Sequence, residues 1–281
     1  DALPILGKVN MDRNSPEFLI EETKQSLLDT KAWLDGAAQF GPLVKPIITP
    51  RFVPSCTSEL MTGLAKLAKE YNVPVQSHLS ENHGEIDWVA SLHPESSNYT
   101  DVYYEHHLMG TVPTVMAHCI HLSDVEMDRM ADTQTMVSHC PYSNVNLSSG
   151  IAPIRKLFER NIPIGLGSDI SGGHIVSMAK VLTEAIGLSK MKWAEVDQNY
   201  APLTLSEAFY MATKGGGQFF GYVGSFEDGC ELDALIIDDT SLFDPNERSL
   251  EERLERWLYV GDDRHIIERY VAGRVVPSPK G

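Results

Sequence analysis

Arg51, His78, His118, His139 and Asp169 each close a short apolar run with a group able to do chemistry. His78 ends "VPVQSH", and Glu81 follows three residues later in "HLSEN". Burial calls for neither an imidazole nor a carboxylate at those places. The plain structural reading is a strand end with two satisfied polar side chains. Imidazole nitrogen and carboxylate oxygen are also the donors that zinc takes in catalytic sites, where one position stays open to water. Metal coordination brings the pKa of that water from 15.7 down to about 7. A rim carboxylate can then take its proton, and a second carboxylic acid can protonate the substrate. In that chemistry His78 is a ligand and Glu81, one short turn beyond it, is the acid.

Residues so far apart need elements that bring them together. β-Rich runs recur at 7–11, 44–52, 73–78, 111–118, 133–139 and 161–169. Helical patterns fill the gaps: 15–41, with Pro16 at the first helical position after Ser15 and an end near Gly41, then "SCTSELMTGLAKLAKEYN" and "IAPIRKLFERN". Alternation of this kind predicts a parallel sheet with crossover helices. In a parallel barrel every strand's C-terminal end faces one rim, and the loops there build the site. Three histidines and an aspartate closing strands on a single rim favour a metal site over four separate structural roles.

Beyond Asp169 the character changes. Thr204 and Glu207 carry a capping-box signature. The glycine triplet at 215–217 lacks the lysine and hydroxyl residue of a phosphate loop and reads as a helix C-terminus. Runs at 228–238 and 269–277 read as strands around a charged helix at 249–261, forming a small satellite sheet.

Composition narrows the partners. Acidic residues number 39 against 23 lysines and arginines, a net charge of −16 that repels phosphate backbones and excludes duplex binding. A free base or nucleoside stays compatible. Cys56, Cys119, Cys140 and Cys230 are widely spaced with no CxxC, so they read as small core hydrophobes in a reducing cytoplasm. No apolar run approaches the roughly 20 residues of a membrane span. The opening "DALPILGKVN" is not a signal peptide, and without an initiator methionine it reads as the middle of a longer chain. Absence of HExxH, HxE…PCxxC and GxSxG excludes three other catalytic designs.

"TPRF" (49–52), "QSHLSEN" (76–82), "VMAHC" (115–119), "SHCPYSN" (138–144) and "GLGSDISGG" (165–173) together resemble the guanine deaminases of the amidohydrolase superfamily. "VGDDRHI" (260–266) and "YVAGRVV" (270–276) resemble the C-terminal end of that family. "GLGSD" or "HCP" alone would indicate only the superfamily; "TPRF" with "QSHLSEN" narrows it. The resemblance implies an α/β fold, a (β/α)8 TIM barrel with a small β-sandwich. Residues 1–224 would carry barrel strands 3–8, and 225–281 would contribute to the sandwich.

It also implies zinc-dependent hydrolytic deamination of guanine to xanthine and ammonia. His78 would be a zinc ligand closing the fifth strand, and Asp169, closing the eighth, both ligand and general base. Glu81 would protonate the purine ring and pass protons onward, while His118, closing the sixth strand, would hold and polarise the attacking water. Arg51 and Phe52 would bind guanine by donation to O6 and by stacking, with His78, Glu81 and Asp169 lining the same pocket. Donors built for O6 are left unpaired by adenine's amino group. One zinc per site is expected, because Thr49–Pro50–Arg51 stands where two-metal relatives place a bridging lysine. The family takes two further ligands from an HxH pair on its first barrel strand, and no HxH occurs here. The chain therefore reads as the C-terminal two-thirds of such a protein, lacking the first strands. Superfamily members commonly pair through barrel helices, so a homodimer is implied.

Other candidates take lesser roles. His139 is structural or supports a ligand, His106 and His107 are structural, and Asn144 caps the next segment. His174 is a minor candidate for substrate contact; His83, His93, His121 and His265 read as solvated. Trp33, Trp88, Trp193 and Trp257 read as packing residues. The rival functions are an aminohydrolase or chlorohydrolase acting on another ring, and a non-catalytic binding or scaffold product.

Overall fold

The computed structural model describes residues 4–41 and 43–277. They divide into two compact units: one runs as far as His139 and also takes in Ala152–Ile164, and the other holds Cys140–Ile151 and everything from Gly165 onward.

The first unit is built on short parallel strands joined by helices. In chain order these are β1 (Ile5–Leu6), β2 (Val9–Asn10), α1 (Thr23–Gly36), β3 (Lys45–Pro46), β4 (Thr49–Pro50), α2 (Ser58–Tyr71) and β5 (Val75–Leu79). There follow α3 (His83–Leu92), α4 (Tyr99–Glu105), β6 (Thr114–His118), α5 (Asp124–Asp132) and β7 (Met136–His139). β1 pairs with β3, β2 with β4, β5 with β6 and β6 with β7, all parallel, and an Ile48–Val75 bridge links the β3–β4 run to β5. The β1–β2 run thus lies beside the β3–β4 run, and from β5 to β7 neighbours in sequence are neighbours in the sheet, as crossovers between parallel strands allow.

The run expected at 44–52 is interrupted at Ile47–Ile48 into β3 and β4, and the run expected at 7–11 keeps only β2, with β1 just ahead of it. Proline at 46 and 50 has no N–H to give the ladder. At position 7 the neighbouring run comes so close that a Cβ would lie 1.9 Å from Thr49 Oγ1, which only glycine avoids. In β5 and β6 alternate residues are buried, ending on Leu79 and His118.

α2 shows why the helices form where they do. Thr57 accepts from Leu60 N at 3.2 Å, Asn72 ends the helix in the left-handed region at φ 49°, and Leu60, Met61 and Leu64 are fully buried. Burying each such side chain contributes about 1.5–3 kcal/mol. The helix expected from Ser15 begins instead at Thr23, capped by Glu22. Glu21 N donates to Met11 O at 2.9 Å rather than back along a helix, and its carboxylate is held by Lys8 at 2.6 Å. The end near Gly41 stands: α1 runs into a 3-10 turn at Ala37–Phe40, and Gly41 follows at φ 96°.

After β7 come α6 (Pro141–Asn146) in the second unit, α7 (Ile154–Glu159) in the first, and β8 (Ile164–Leu166). The second unit continues with α8 (Met178–Glu195), α9 (Leu205–Tyr210), β9 (Ala234–Ile237), α10 (Leu250–Val260), β10 (Ile266–Val271) and β11 (Arg274–Val275). β9, β10 and β11 form a small antiparallel sheet; the run expected over 269–277 is two strands, the first starting already at Ile266. The capping boxes at Thr204/Glu207 and Ser249/Glu252 are both made. α10 is tied to α8 by Lys180, whose Nζ donates to Leu258 O and Tyr259 O at 3.2 and 2.8 Å.

Two histidines read as solvated are buried instead. His93 is enclosed because Arg13 Nη2 reaches its Nε2 at 3.0 Å, and His265 turns inward to meet Ser241 Oγ and the Asp262 backbone. Among the tryptophans Trp257 is buried, whereas Trp88 and Trp193 are exposed. Among the described residues no helix is long and apolar enough to cross a membrane.

Candidate active site

Within the first unit, the ends of β4, β5 and β6 bring five of the expected residues together. Leu79 and His118 are partners in the β5–β6 register, so the two strands finish level. Just beyond, the backbone leaves the usual region: φ is 49° at Ser80, 70° at His118 and 51° at Cys119. Such non-glycine residues carry local strain that the surroundings must hold in place. Here backbone hydrogen bonds do so, from Cys119 N to Leu79 O at 2.9 Å and from Ile120 N and His121 N to Ser80 O at 3.1 Å.

The His78 and His118 rings consequently stack with centroids 5.4 Å apart and planes 22° from parallel. His118 is fully buried, and its Nε2 lies 3.7 Å from Glu81 Oε2. Arg51 O accepts from His78 Nδ1 at 2.6 Å and from Ser77 Oγ at 3.2 Å. A proton held on Nδ1 by a carbonyl leaves the lone pair of a neutral imidazole on Nε2, the arrangement found behind metal-ligating histidines. This is the local feature that fits His78 to a metal.

Arg51 and Phe52 follow β4. The exposed Arg51 guanidinium lies 3.4 Å from Met11 Sδ and 5.7 Å from the centre of the Phe52 ring. Phe52 in turn meets Trp88 edge-on, with centroids 6.4 Å apart. A planar donor and an aromatic face thus stand side by side.

His139 ends β7 and is buried, with no hydrogen-bond partner for Nδ1 among the described residues. Burial, aided by nearby His118, lowers its pKa to about 3, so the ring is neutral. Unfolded, it would titrate near 6.5. Between these values the unfolded state binds the extra proton, and stability falls as pH drops from about 6.5 toward 3. Guanidinium titrations across that window should show a slope of up to about 1.4 kcal/mol per pH unit that His139→Leu removes.

Asp169 lies in the second unit, just beyond β8, at φ 42°. Its carbonyl accepts from Gly173 N at 2.7 Å. A Cβ at position 172 would lie 2.5 Å from Asp169 Oδ2 and 2.6 Å from Ser143 Oγ, so the glycine leaves the carboxylate its place. His174 sits edge-on to Tyr142 at 5.1 Å. His106 caps α4 with Nδ1 bonded to Val102 O at 2.8 Å, a structural role as expected. Among the described residues no group of three or more His, Cys, Asp or Glu stands ready to hold a metal ion.

Sequence reasoning missed Glu85, whose carboxylate accepts from the backbone N–H groups of Glu81 and Asn82 at 2.9 and 3.1 Å. Asn82-x-x-Glu85 ahead of an apolar stretch is a capping-box signature and could have found it.

A fold of parallel strands and helices with histidines, an arginine and carboxylates at strand ends defines a class. Residues 4–276 match the amidohydrolase family, and the chain belongs to that family. It is 45% identical over 279 residues to guanine deaminase from Dictyostelium discoideum, covering 96% of this chain and 62% of that protein. It superposes with a TM-score of 0.94 on a crystal structure of guanine deaminase from C. acetobutylicum with guanine bound in the active site. That match has 52% identity and covers 97% of this chain and 65% of the other. The chain thus spans under two-thirds of both. An atrazine chlorohydrolase from Arthrobacter aurescens, complexed with zinc, shares the fold at 18% identity and a TM-score of 0.82.

Proposed function

We propose that the protein hydrolyses guanine to xanthine and ammonia with the help of one zinc ion. The observation that carries this is the grouping of Arg51, Phe52, His78, Glu81 and His118 at the ends of three adjacent strands. Likeness to guanine deaminases, one of them with guanine bound, supports the choice of ring.

His78 and Asp169 are the residues assigned to hold the metal, which when bound supplies a Lewis acid and a more acidic water. Arg51 donates to guanine O6 while Phe52 stacks on the purine. Glu81 gives a proton to the ring as the water oxygen bonds to the amino-bearing carbon. Asp169 takes the proton released by that water. As the carbon–nitrogen bond breaks and the carbonyl forms, the hydroxyl's remaining proton passes through the now ionised Glu81 to the amine, which leaves as ammonia. The proton on Asp169 returns to Glu81. His118, 3.7 Å from Glu81, orients the water. The products contain the atoms of guanine and one water. Residues 1–224 are assigned to the barrel portion, residues 225–281 to the β-sandwich, and the working form to a homodimer.

The test is conversion of guanine by purified protein that carries this chain together with the HxH-bearing segment the family supplies, with xanthine and ammonia measured together. Equimolar products, loss of turnover on chelation and recovery with zinc are the expected results. A zinc-supplemented protein that releases neither product would overturn the reading.

A further inference from the structure

We infer that two tyrosines one turn apart on α4, together with Glu85, form a frame that holds the Glu81 loop and His78 at a fixed spacing; they are positioning residues for the reaction proposed above. The inference rests on that reading for its activity readout and on hydrogen bonds for its geometry.

One half of the frame holds Glu81. Glu85 Oε2 accepts from Glu81 N and Asn82 N, and Glu85 Oε1 accepts from Tyr99 Oη at 2.7 Å. All three bonds meet on one carboxylate, which fixes the loop's backbone immediately at the proposed acid. The other half holds His78. Tyr103 Oη donates to His78 O at 2.8 Å and lies 2.7 Å from Ser77 Oγ, which also reaches Pro50 O at 2.7 Å. The strand end carrying His78 is therefore fastened both to α4 and to the stretch that leads into Arg51.

The halves are joined by the tyrosine rings themselves. Residues four apart on a helix share a face, and the Tyr99 and Tyr103 rings stack with centroids 5.7 Å apart and planes 12° from parallel. Both side chains are fully enclosed, and burial pushes both phenols well above their ordinary pKa, so each keeps its O–H. α4 is fixed in turn by Asn98 Oδ1, which accepts from Asp101 N at 2.9 Å, and by Arg129, which pairs with Asp101 at 3.1 Å. General acid catalysis depends on hydrogen-bond reach, and displacement by about 1 Å can lower a rate roughly 100-fold. A fixed spacing between Glu81 and His78 is what such a reaction needs from its scaffold.

The test compares Tyr99→Phe, Tyr103→Phe, Glu85→Ala and Glu85→Gln in the full chain with zinc. Each phenylalanine keeps the ring and removes one hydroxyl. Glutamine keeps an oxygen that can accept from the Glu81 and Asn82 amides, so it acts as the rescue. Expected are a roughly 10- to 100-fold fall in kcat for Glu85→Ala, with KM within about threefold, and recovery of most of the loss in Glu85→Gln. Tyr99→Phe and Tyr103→Phe should each lower kcat several-fold without changing the fraction folded. Hydrogen exchange at the Glu81 and Asn82 amides supplies a readout independent of turnover: protection should be lost in Glu85→Ala and kept in Glu85→Gln. Unchanged protection in Glu85→Ala, or a kcat that falls only with the folded fraction, overturns the frame. If the unsubstituted protein leaves guanine intact, the functional reading fails, and amide exchange alone decides the frame.

Discussion

Glu81→Gln is expected to lower kcat for guanine roughly 100- to 10,000-fold, the range spanned by loss of a general acid or base. The substitution keeps the size and the backbone of the residue, so the bond from Glu81 N to Glu85 should persist. What disappears is a proton that can be given to the ring and passed to the amine. Because the His118 contact at 3.7 Å is side chain to side chain, the variant also replaces a carboxyl oxygen facing that imidazole by part of an amide. KM should change little, since Arg51 and Phe52 supply the binding. Thermal unfolding distinguishes this from misfolding: the midpoint should stay put in the variant while turnover falls. A variant that keeps its turnover would remove Glu81 from the chemistry.

Arg51→Ala should lower kcat/KM for guanine about 10- to 100-fold, as expected for losing a charged hydrogen bond worth about 1.5–3 kcal/mol. The contacts of this residue make the experiment clean. Its carbonyl, not its side chain, accepts from His78 Nδ1, so truncation leaves that histidine in place. Its guanidinium meets the Met11 thioether and the Phe52 ring, and no core packing depends on it. A substrate without O6, such as 2-aminopurine, gives the sharper reading. The unsubstituted protein should prefer guanine strongly, and Arg51→Ala should lose that preference while its 2-aminopurine kinetics barely move. Lysine at 51 should restore only part of the loss, because a point charge cannot reproduce a planar fork of donors. Equal guanine kinetics in Arg51→Ala and the parent would remove O6 recognition from this residue.

Strand ends were the most legible feature of the chain. The runs "VPVQSH" and "TVPTVMAH" announced β5 and β6, in which alternate residues are buried and whose ends lie at Leu79 and His118. The parallel arrangement was legible for the same reason. The gaps at Gly7 and at Ile47–Ile48 were less so, since a close approach to Thr49 is a property of the neighbouring strand. The start of α1 was misread at Ser15 because the decisive bond, Glu21 N to Met11 O, joins residues ten apart. Buried His93 was misread likewise: its partner Arg13 is eighty residues away. Tyr99 and Tyr103 carry no local signal at all, as their roles depend on Glu85 and His78 lying opposite α4.

Ser80 joins two features already met: a left-handed backbone at φ 49° and a buried hydroxyl that finds no hydrogen-bond partner among the described residues. Glycine would relieve both at once. A laboratory selection for heat resistance would be drawn to that position early. The variant it returned would be hardier, yet the joint that keeps two histidines facing each other would have gained a new freedom to swing. Endurance and precision pull against each other at this one small residue.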